Sequence, residues 1–144
     1  MQTDIFVIQW RGPYRLDRFF EYAQANHKGL YMVSRVFGGR ESLRYIGMTW
    51  DQTVSKRLEQ HPWLWEERGE VRVRVSEIEV EPGKRLTKKR LMDIERLLIF
   101  FNKPARNTQH YDRYNVRRRI ILRNAGRRGP LPDVEVSALS ANMG

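Results

Sequence analysis

The sequence predicts a single domain of mixed strands and helices, and three observations carry that reading. A chain of 144 residues is long enough to bury about two thirds of its surface around one core, and too short for two. Two β-branched and aromatic runs, LYMVSRVF over residues 30–37 and LRYIGM over residues 43–48, flank Gly38-Gly39-Arg40-Glu41 as the arms of an antiparallel hairpin flank its loop. Residues 87–102 set Leu91, Ile94, Leu98 and Phe101 on one helical stripe.

The other elements follow in chain order. Residues 4–10 (DIFVIQW) are a short apolar run closed by Arg11-Gly12-Pro13, a pattern that predicts a buried strand ending in a turn. Asp17 can cap a helix over residues 18–26, with Phe19, Tyr22 and Ala23 as its buried stripe and Gly29 as its stop. After the hairpin, Asp51 or Thr53 can cap a helix running to about His61, in which Val54, Arg57, Leu58 and His61 share a face, and Pro62 ends it. Val71, Val73 and Val75 alternate with polar residues as a strand, and Ile78 and Val80 continue it out of phase, which predicts a bulge. Thr87 opens the long helix and Pro104 stops it. Residues 120–122 form a last short strand, and residues 126–132 carry turn chemistry into the tail.

At 40% hydrophobic and 31% charged residues the chain is globular, not disordered. The absence of cysteine excludes disulfides, thiolate metal sites and a cysteine nucleophile, and it fits a reducing, cytoplasmic setting. The start, MQTDIFVIQWRG, carries an acid where a secretory leader would be basic, and no apolar stretch approaches ~18 residues, so no membrane partner is expected. The net charge of +10 is clustered: residues 84–128 hold fifteen Lys and Arg against Asp93, Glu95 and Asp112. Arginine dominates there, and its planar fork fits phosphate, so the expected partner is a nucleic acid. Arg117, Arg118, Arg119, Arg123, Arg127 and Arg128 are the candidate contacts.

Glu95 breaks the helical pattern, because Leu91, Met92, Leu98 and Ile99 surround it at one-turn spacing. A carboxylate on an apolar face requires a cation, and either an arginine or a metal ion satisfies that need. Arg57 and His61 are the polar groups on the Val54/Leu58 face, a pair suited to neutralising a phosphate and moving a proton.

Gly29-Leu30-Tyr31 on one arm of the hairpin and Tyr45-Ile46-Gly47 on the other resemble the signature of the GIY-YIG nuclease family. That family has an arginine in the next helix, which falls on Arg57, a metal-binding glutamate in the following long helix, which falls on Glu95, and an asparagine after a proline-containing turn, which falls on Asn107. The likeness spans residues 29–110, with a strand and helix over 1–28 and an Arg-rich segment over 111–144 as extensions of one domain. Leu30 replaces the usual isoleucine, Met48 stands where repair-type members have lysine, and His61 stands where those members have tyrosine and restriction-type members have histidine.

The resemblance implies an α+β fold, a small antiparallel sheet flanked by helices, and hydrolysis of DNA phosphodiesters, duplex or branched. It implies Mg²⁺ or Mn²⁺ on Glu95, Arg57 on a phosphate oxygen, and Tyr31 and Tyr45 positioning and deprotonating water, with lowered phenol pKa values supplied by the metal, Arg57 or an adjacent basic group. His61 would relay that proton or protonate the leaving group, and Asn107 would hold the metal helix and loop in place. A catalytically idle nucleic-acid-binding module and an RNA-directed nuclease are the alternatives.

Overall fold

Alternation along six strands decides which side of one sheet each residue enters. In the computed structural model, which describes residues 3–108 and 119–136, the strands are β1 (Thr3–Arg15), β2 (Leu30–Phe37), β3 (Arg40–Met48), β4 (Glu70–Val80), β5 (Arg119–Gly126) and β6 (Val134–Val136). They lie in the order β3-β2-β4-β1-β5-β6. The helices are α1 (Leu16–Phe19), α2 (Val54–Glu59) and α3 (Lys88–Asn102), with 3-10 turns at Ala23–Asn26 and Pro62–Glu66. The fold is α+β, but the sheet is mixed: β5 runs parallel to β1, and the other neighbours are antiparallel. Local pattern marked residues 120–122 as a strand and could not choose its neighbour, which lies over a hundred residues away.

The sheet is covered unequally on its two faces. Phe6, Ile8 and Trp10 of β1, Leu30 and Met32 of β2, and Ile46 of β3 pack on α3 through Leu91, Ile94, Leu97 and Leu98. On the opposite face, Tyr31 and Val33 with Val71, Val73 and Val75 pack on Leu16, Phe19, Val54, Leu58 and Leu64 from the short helices and turns. The change of parity in β4 is therefore a change of buried face, because Ile78 and Val80 join the α3 side. β4 itself is unbulged. The irregularity lies in β1, where register slips between Arg11 and Tyr14, so the strand continues through Gly12-Pro13 to Arg15 instead of ending there.

Other boundaries shift for local reasons. Gly38 and Gly39 have φ of 62° and 75°, the left-handed pair a two-residue hairpin turn requires, so β3 begins at Arg40. The expected helix over 18–26 is one turn of α1 and one 3-10 turn; Tyr22 is extended between them, its ring 5.2 Å from Tyr14, and Ala25 is buried in place of Ala23. Thr53 caps α2 by accepting from Lys56 N, and α2 ends before His61. Thr87 caps α3 by accepting from Arg90 N, and Lys103, at φ 47°, ends it. Phe101 is 45% exposed, and Leu97 takes the buried position the stripe had assigned to it. Among the described residues no helix is long and apolar enough to cross a membrane.

Two polar clusters tie distant segments. The Glu67 side chain, 1% exposed, lies 3.3 Å from Arg35 of β2, 3.1 Å from Arg44 of β3 and 2.7 Å from Arg106 beyond α3. Burial pushes its carboxyl up, but Arg106 and Arg44 outweigh that and hold it below the usual carboxylate range. Beside α3, Trp10 Nε1 donates to Asn124 Oδ1, and the Asn124 and Asn102 amides each donate to Glu135 at 2.7 Å.

Removing the Glu67 carboxylate would leave three guanidinium groups converging on an empty position. Glu67→Ala should lower the unfolding free energy by about 3 kcal/mol in urea titrations, whereas Glu66→Ala, an exposed neighbour, should change it by less than about 0.5 kcal/mol.

Candidate active site

The pleat puts Tyr31 and Tyr45 on the same face of adjacent strands. Tyr31 pairs with Gly47 and Val33 with Tyr45, so the two phenols are diagonal neighbours with ring centroids 6.1 Å apart. Gly47 makes room for them, since a Cβ there would lie 2.6 Å from the Tyr31 Cζ and Oη and 2.8 Å from Tyr45 Cε2. The glycine is needed for close approach; its backbone has no positive φ.

α2 lies over this face and lowers Arg57 onto the phenols. Its guanidinium lies close enough to both phenols for its charge to oppose the rise of their pKa values, and its Nη1 donates to Gln60 Oε1 at 3.1 Å. His61 arrives from the turn after α2, not from the helix, yet it reaches the same point: its Nε2 is 3.4 Å from Tyr31 Oη and its ring 4.8 Å from Tyr45. Burial and the Arg57 charge lower the His61 pKa, so the imidazole is neutral near pH 7.

Glu95 approaches from the other side of the sheet. α3 crosses the opposite face, and at the end of β3 its carboxylate meets the Met48 backbone N–H and the field of Arg57. Burial raises its pKa to about 7, more than Arg57, Arg96 and the Met48 hydrogen bond offset. Among the described residues no ion pair closes on it within salt-bridge distance, and Arg57 and Arg96 act on it only through their fields. Glu95, Arg57, Tyr45, Lys88, Arg106 and Asn107 line one cleft of about 460 Å³.

Asn107 closes the wall of that cleft. Its side-chain amide pairs with Ile46 on the free edge of β3, accepting from Ile46 N at 2.9 Å and donating to Ile46 O at 2.8 Å, while Arg106 N donates to Arg44 O at 2.8 Å. The loop after α3 thus caps the edge strand as one more strand would. Asn107 touches no reacting position; it holds the return loop.

Burial raises both phenol pKa values, with Tyr45 adding to the rise at Tyr31, and Arg57 does not reverse it. Desolvation exceeds the attraction of this one cation, so the lowering that the resemblance implies falls to the metal ion or another basic group. The described arginines of the C-terminal segment do not line the cleft. Arg119 and Arg123 lie on β5, three strands from β2, and Arg128 is engaged by Asp133 at 3.2 Å and the Leu131 carbonyl. Arg117 and Arg118 lie outside the described residues.

Three groups at the site were missed. Trp63, in the turn after α2, lies 5.6 Å from the Tyr45 ring and 5.8 Å from His61, and the Arg106 guanidinium sits over it at 5.2 Å. Lys88 joins the cleft from the first turn of α3. The Pro62-Trp63 pair and the basic start of α3 were visible in the sequence, but nothing local directs them to one place. No family model matches the chain, and no curated protein and no solved structure matches it.

Two outcomes follow from packing and charge. Gly47→Ala should force the tyrosines apart, changing the near-ultraviolet circular dichroism and costing about 1–3 kcal/mol in denaturant unfolding. Folding lifts the Glu95 pKa from 4.5 to about 7, so its stabilising share is full below the unfolded value and is lost as pH rises through about 7. Melting temperature in the absence of divalent cations should fall between about pH 5 and about pH 8. Glu95→Gln should remove part of that fall, leaving the share of Glu135, which burial also raises to about 7.

Proposed function

We propose that the protein is a divalent-metal-dependent endonuclease that hydrolyses phosphodiester bonds in DNA, using the residue pattern of the GIY-YIG family. The observation that carries this reading is the position of Glu95, a carboxylate opening on a cleft shared with Arg57 and Tyr45 and without an ion-pair partner among the described residues, so that burial pushes its pKa up to about 7. Shifted carboxylates facing a cation and phenols in a cleft are typical of catalytic positions.

The residues fit a hard cation. Glu95 offers an anionic oxygen whose burial is unfavourable until a positive charge arrives, and Tyr45 and Thr108 bring hydroxyl groups to the same cleft. Among the described residues no group of three or more His, Cys, Asp or Glu forms a closed cage. One carboxylate with water and substrate oxygens suits Mg²⁺ or Mn²⁺. When bound, such an ion stabilises negative charge on the scissile phosphate and on the departing oxygen.

The chain's own groups supply the rest. Arg57 binds a non-bridging phosphate oxygen, and Lys88 and Arg106 hold neighbouring phosphates from the cleft walls. Tyr45, half-buried, positions the attacking water. Its ring lies 6.1 Å from that of Tyr31, whose hydroxyl is 3.4 Å from Nε2 of neutral His61. A proton leaving the water can pass from Tyr45 to Tyr31 to His61 Nε2, with the Arg57 charge close to both phenols. No phenolate then has to persist, and the raised phenol pKa values are compatible with turnover. The same raised values favour the second reading, an idle nucleic-acid-binding module.

Cleavage of plasmid, branched DNA, single strands and RNA with Mg²⁺ or Mn²⁺ separates these readings. Wild type should cut DNA, Glu95→Gln should bind but not cut, and His61→Ala should lose about 10²–10⁴-fold in rate. Mg²⁺ should raise the melting temperature more near pH 7.5 than near pH 5.5, because protons compete for Glu95, and Glu95→Gln should abolish the shift. Binding without cleavage under every condition would support the idle module, and preferential cutting of RNA would reassign the substrate.

A further inference from the structure

Of the three side chains on the proposed proton path, only His61 lies outside a regular element. Tyr31 and Tyr45 are set by the pleat of β2 and β3, whereas His61 stands in the link between α2 and the 3-10 turn, with φ of −116° and ψ of 84°. Its Nε2 lies 3.4 Å from Tyr31 Oη, a long contact that does not by itself hold an imidazole in one rotamer. The ring is placed by packing instead. His61, Tyr45 and Trp63 form a triangle of rings, with centroids 4.8 Å apart for Tyr45 and His61, 5.6 Å for Tyr45 and Trp63, and 5.8 Å for His61 and Trp63.

Two corners of this triangle are anchored independently of His61. The Tyr45 backbone is paired with Val33 in the ladder of the hairpin. Trp63 is held from outside, because the Arg106 guanidinium lies over its ring at 5.2 Å. Arg106 is itself tied twice: its Nε is 2.7 Å from the Glu67 carboxylate, and its backbone N donates to Arg44 O on the edge of β3 at 2.8 Å. Trp65, two residues along in the same turn, provides the contrast. It is 59% exposed and its ring stacks on Phe20 at 6.2 Å, whereas Trp63 is half-buried. Leu64 between them enters the second core, so the turn presents one indole to His61 and the other to solvent.

We infer that Trp63 is a positioning residue: pressed from outside by Arg106, its indole wedges the His61 imidazole against Tyr31 and so fixes where the proton path ends. The wedge is independent of the catalytic chemistry, whereas the use of the path rests on the nuclease reading. Arg57 from α2, Tyr31 from β2 and Tyr45 from β3 face the imidazole, and Arg106 and Glu67 stand behind Trp63. Burial is the larger cause of the lowered His61 pKa and the Arg57 charge the smaller. Removing the indole admits water to one flank of the imidazole and leaves Arg57 in place. His61 should then titrate higher than in wild type and still below its ordinary value of 6.5. A flat ring matters because a branched aliphatic side chain fills space without offering a π face to the guanidinium.

NMR of the His61 ring in the full chain, free of metal and DNA, tests it, the resonances being assigned by their loss in His61→Ala. In wild type the ring should show nuclear Overhauser contacts to Trp63 and Tyr31. Trp63→Leu should lose the Tyr31 contact and raise the titration midpoint of His61, while Trp63→Phe, which keeps a flat ring, should restore both. Arg106→Gln, which leaves the indole but removes its clamp, should act as Trp63→Leu does to a smaller extent. Trp65→Leu, in the same turn, should change neither, which separates the wedge from a general loosening of the turn. In cleavage of plasmid with Mg²⁺, Trp63→Leu should be slower by about 10–10²-fold, and Trp63→Leu/His61→Ala no slower than His61→Ala alone. A His61 ring unmoved in folded Trp63→Leu overturns the inference, as does an equal change in Trp65→Leu. Should Trp63→Leu not fold, Arg106→Gln decides, and an unmoved ring there overturns the inference too. A wild type that never cleaves would count against the nuclease reading alone, since the ring measurements need no turnover.

Discussion

The carboxylate of Glu67 is the point on which the site-bearing half of the molecule depends. It draws Arg35 of β2, Arg44 of β3 and Arg106 of the return loop to one place, tying the turn after α2 and the return loop to two strands that already pair along their length. The turn that carries Glu67 also carries Trp63, and Arg106 serves both. Once Arg106 is held, Asn107 beside it falls on the edge of β3, and its amide completes the ladder at Ile46. The cleft wall, the aromatic cluster around His61 and the free edge of the hairpin are thus positioned by one buried anion. A three-fold arginine cage is worth its desolvation cost because none of the three cations is fully buried, whereas the anion is.

The protein treats its buried carboxyls in two contrasting ways. Glu67 and Glu41 are met by arginines and held below the usual carboxylate range despite burial; they are structural, and their ion pairs join strands to loops. Glu95 and Glu135 are met only by hydrogen bonds or distant charge, and burial raises both to about 7. Glu135 sits between two side-chain amides under β6 and away from any cleft-lining cation. Glu95 opens on a cleft with Arg57 across from it. The same desolvation acts on both, and they differ in position: Glu135 is enclosed by amides, whereas Glu95 faces a cleft that solvent and ions can enter.

A single sheet serves several purposes because its faces change character along the strand order. At β3, β2 and the first part of β4 both faces are covered, and the tyrosines lie between the sheet and α2. At β5 and β6 the core contacts among the described residues lie on the α3 face. The bulge at Gly12-Pro13 in β1 marks the boundary, letting Tyr14 join the second core while Trp10 stays in the first. Tyr31 and Tyr45 therefore lie on a doubly packed part of the sheet, and His61 reaches them from the turn after α2.

By itself the sequence determined the hairpin, because apolar alternation on either side of paired glycines has no other economical solution. It also determined the capped starts of α2 and α3 and the anomaly of Glu95, since a lone carboxylate in an apolar stripe is visible from spacing alone. It singled out Tyr31, Tyr45, Arg57, His61 and Asn107, and the fold brings them together around β3. Tertiary structure decided the rest. The neighbour of β5, the location of the bulge and the roles of Trp63, Arg106 and Lys88 depend on contacts between residues far apart in the chain. The direction of the phenol pKa values depended on how completely the rings were dried, and the position of the C-terminal arginines on which edge of the sheet received β5. Periodicity reports which side of an element is apolar; it does not report what lies opposite, and partners, dielectric and charge separation are set by what lies opposite.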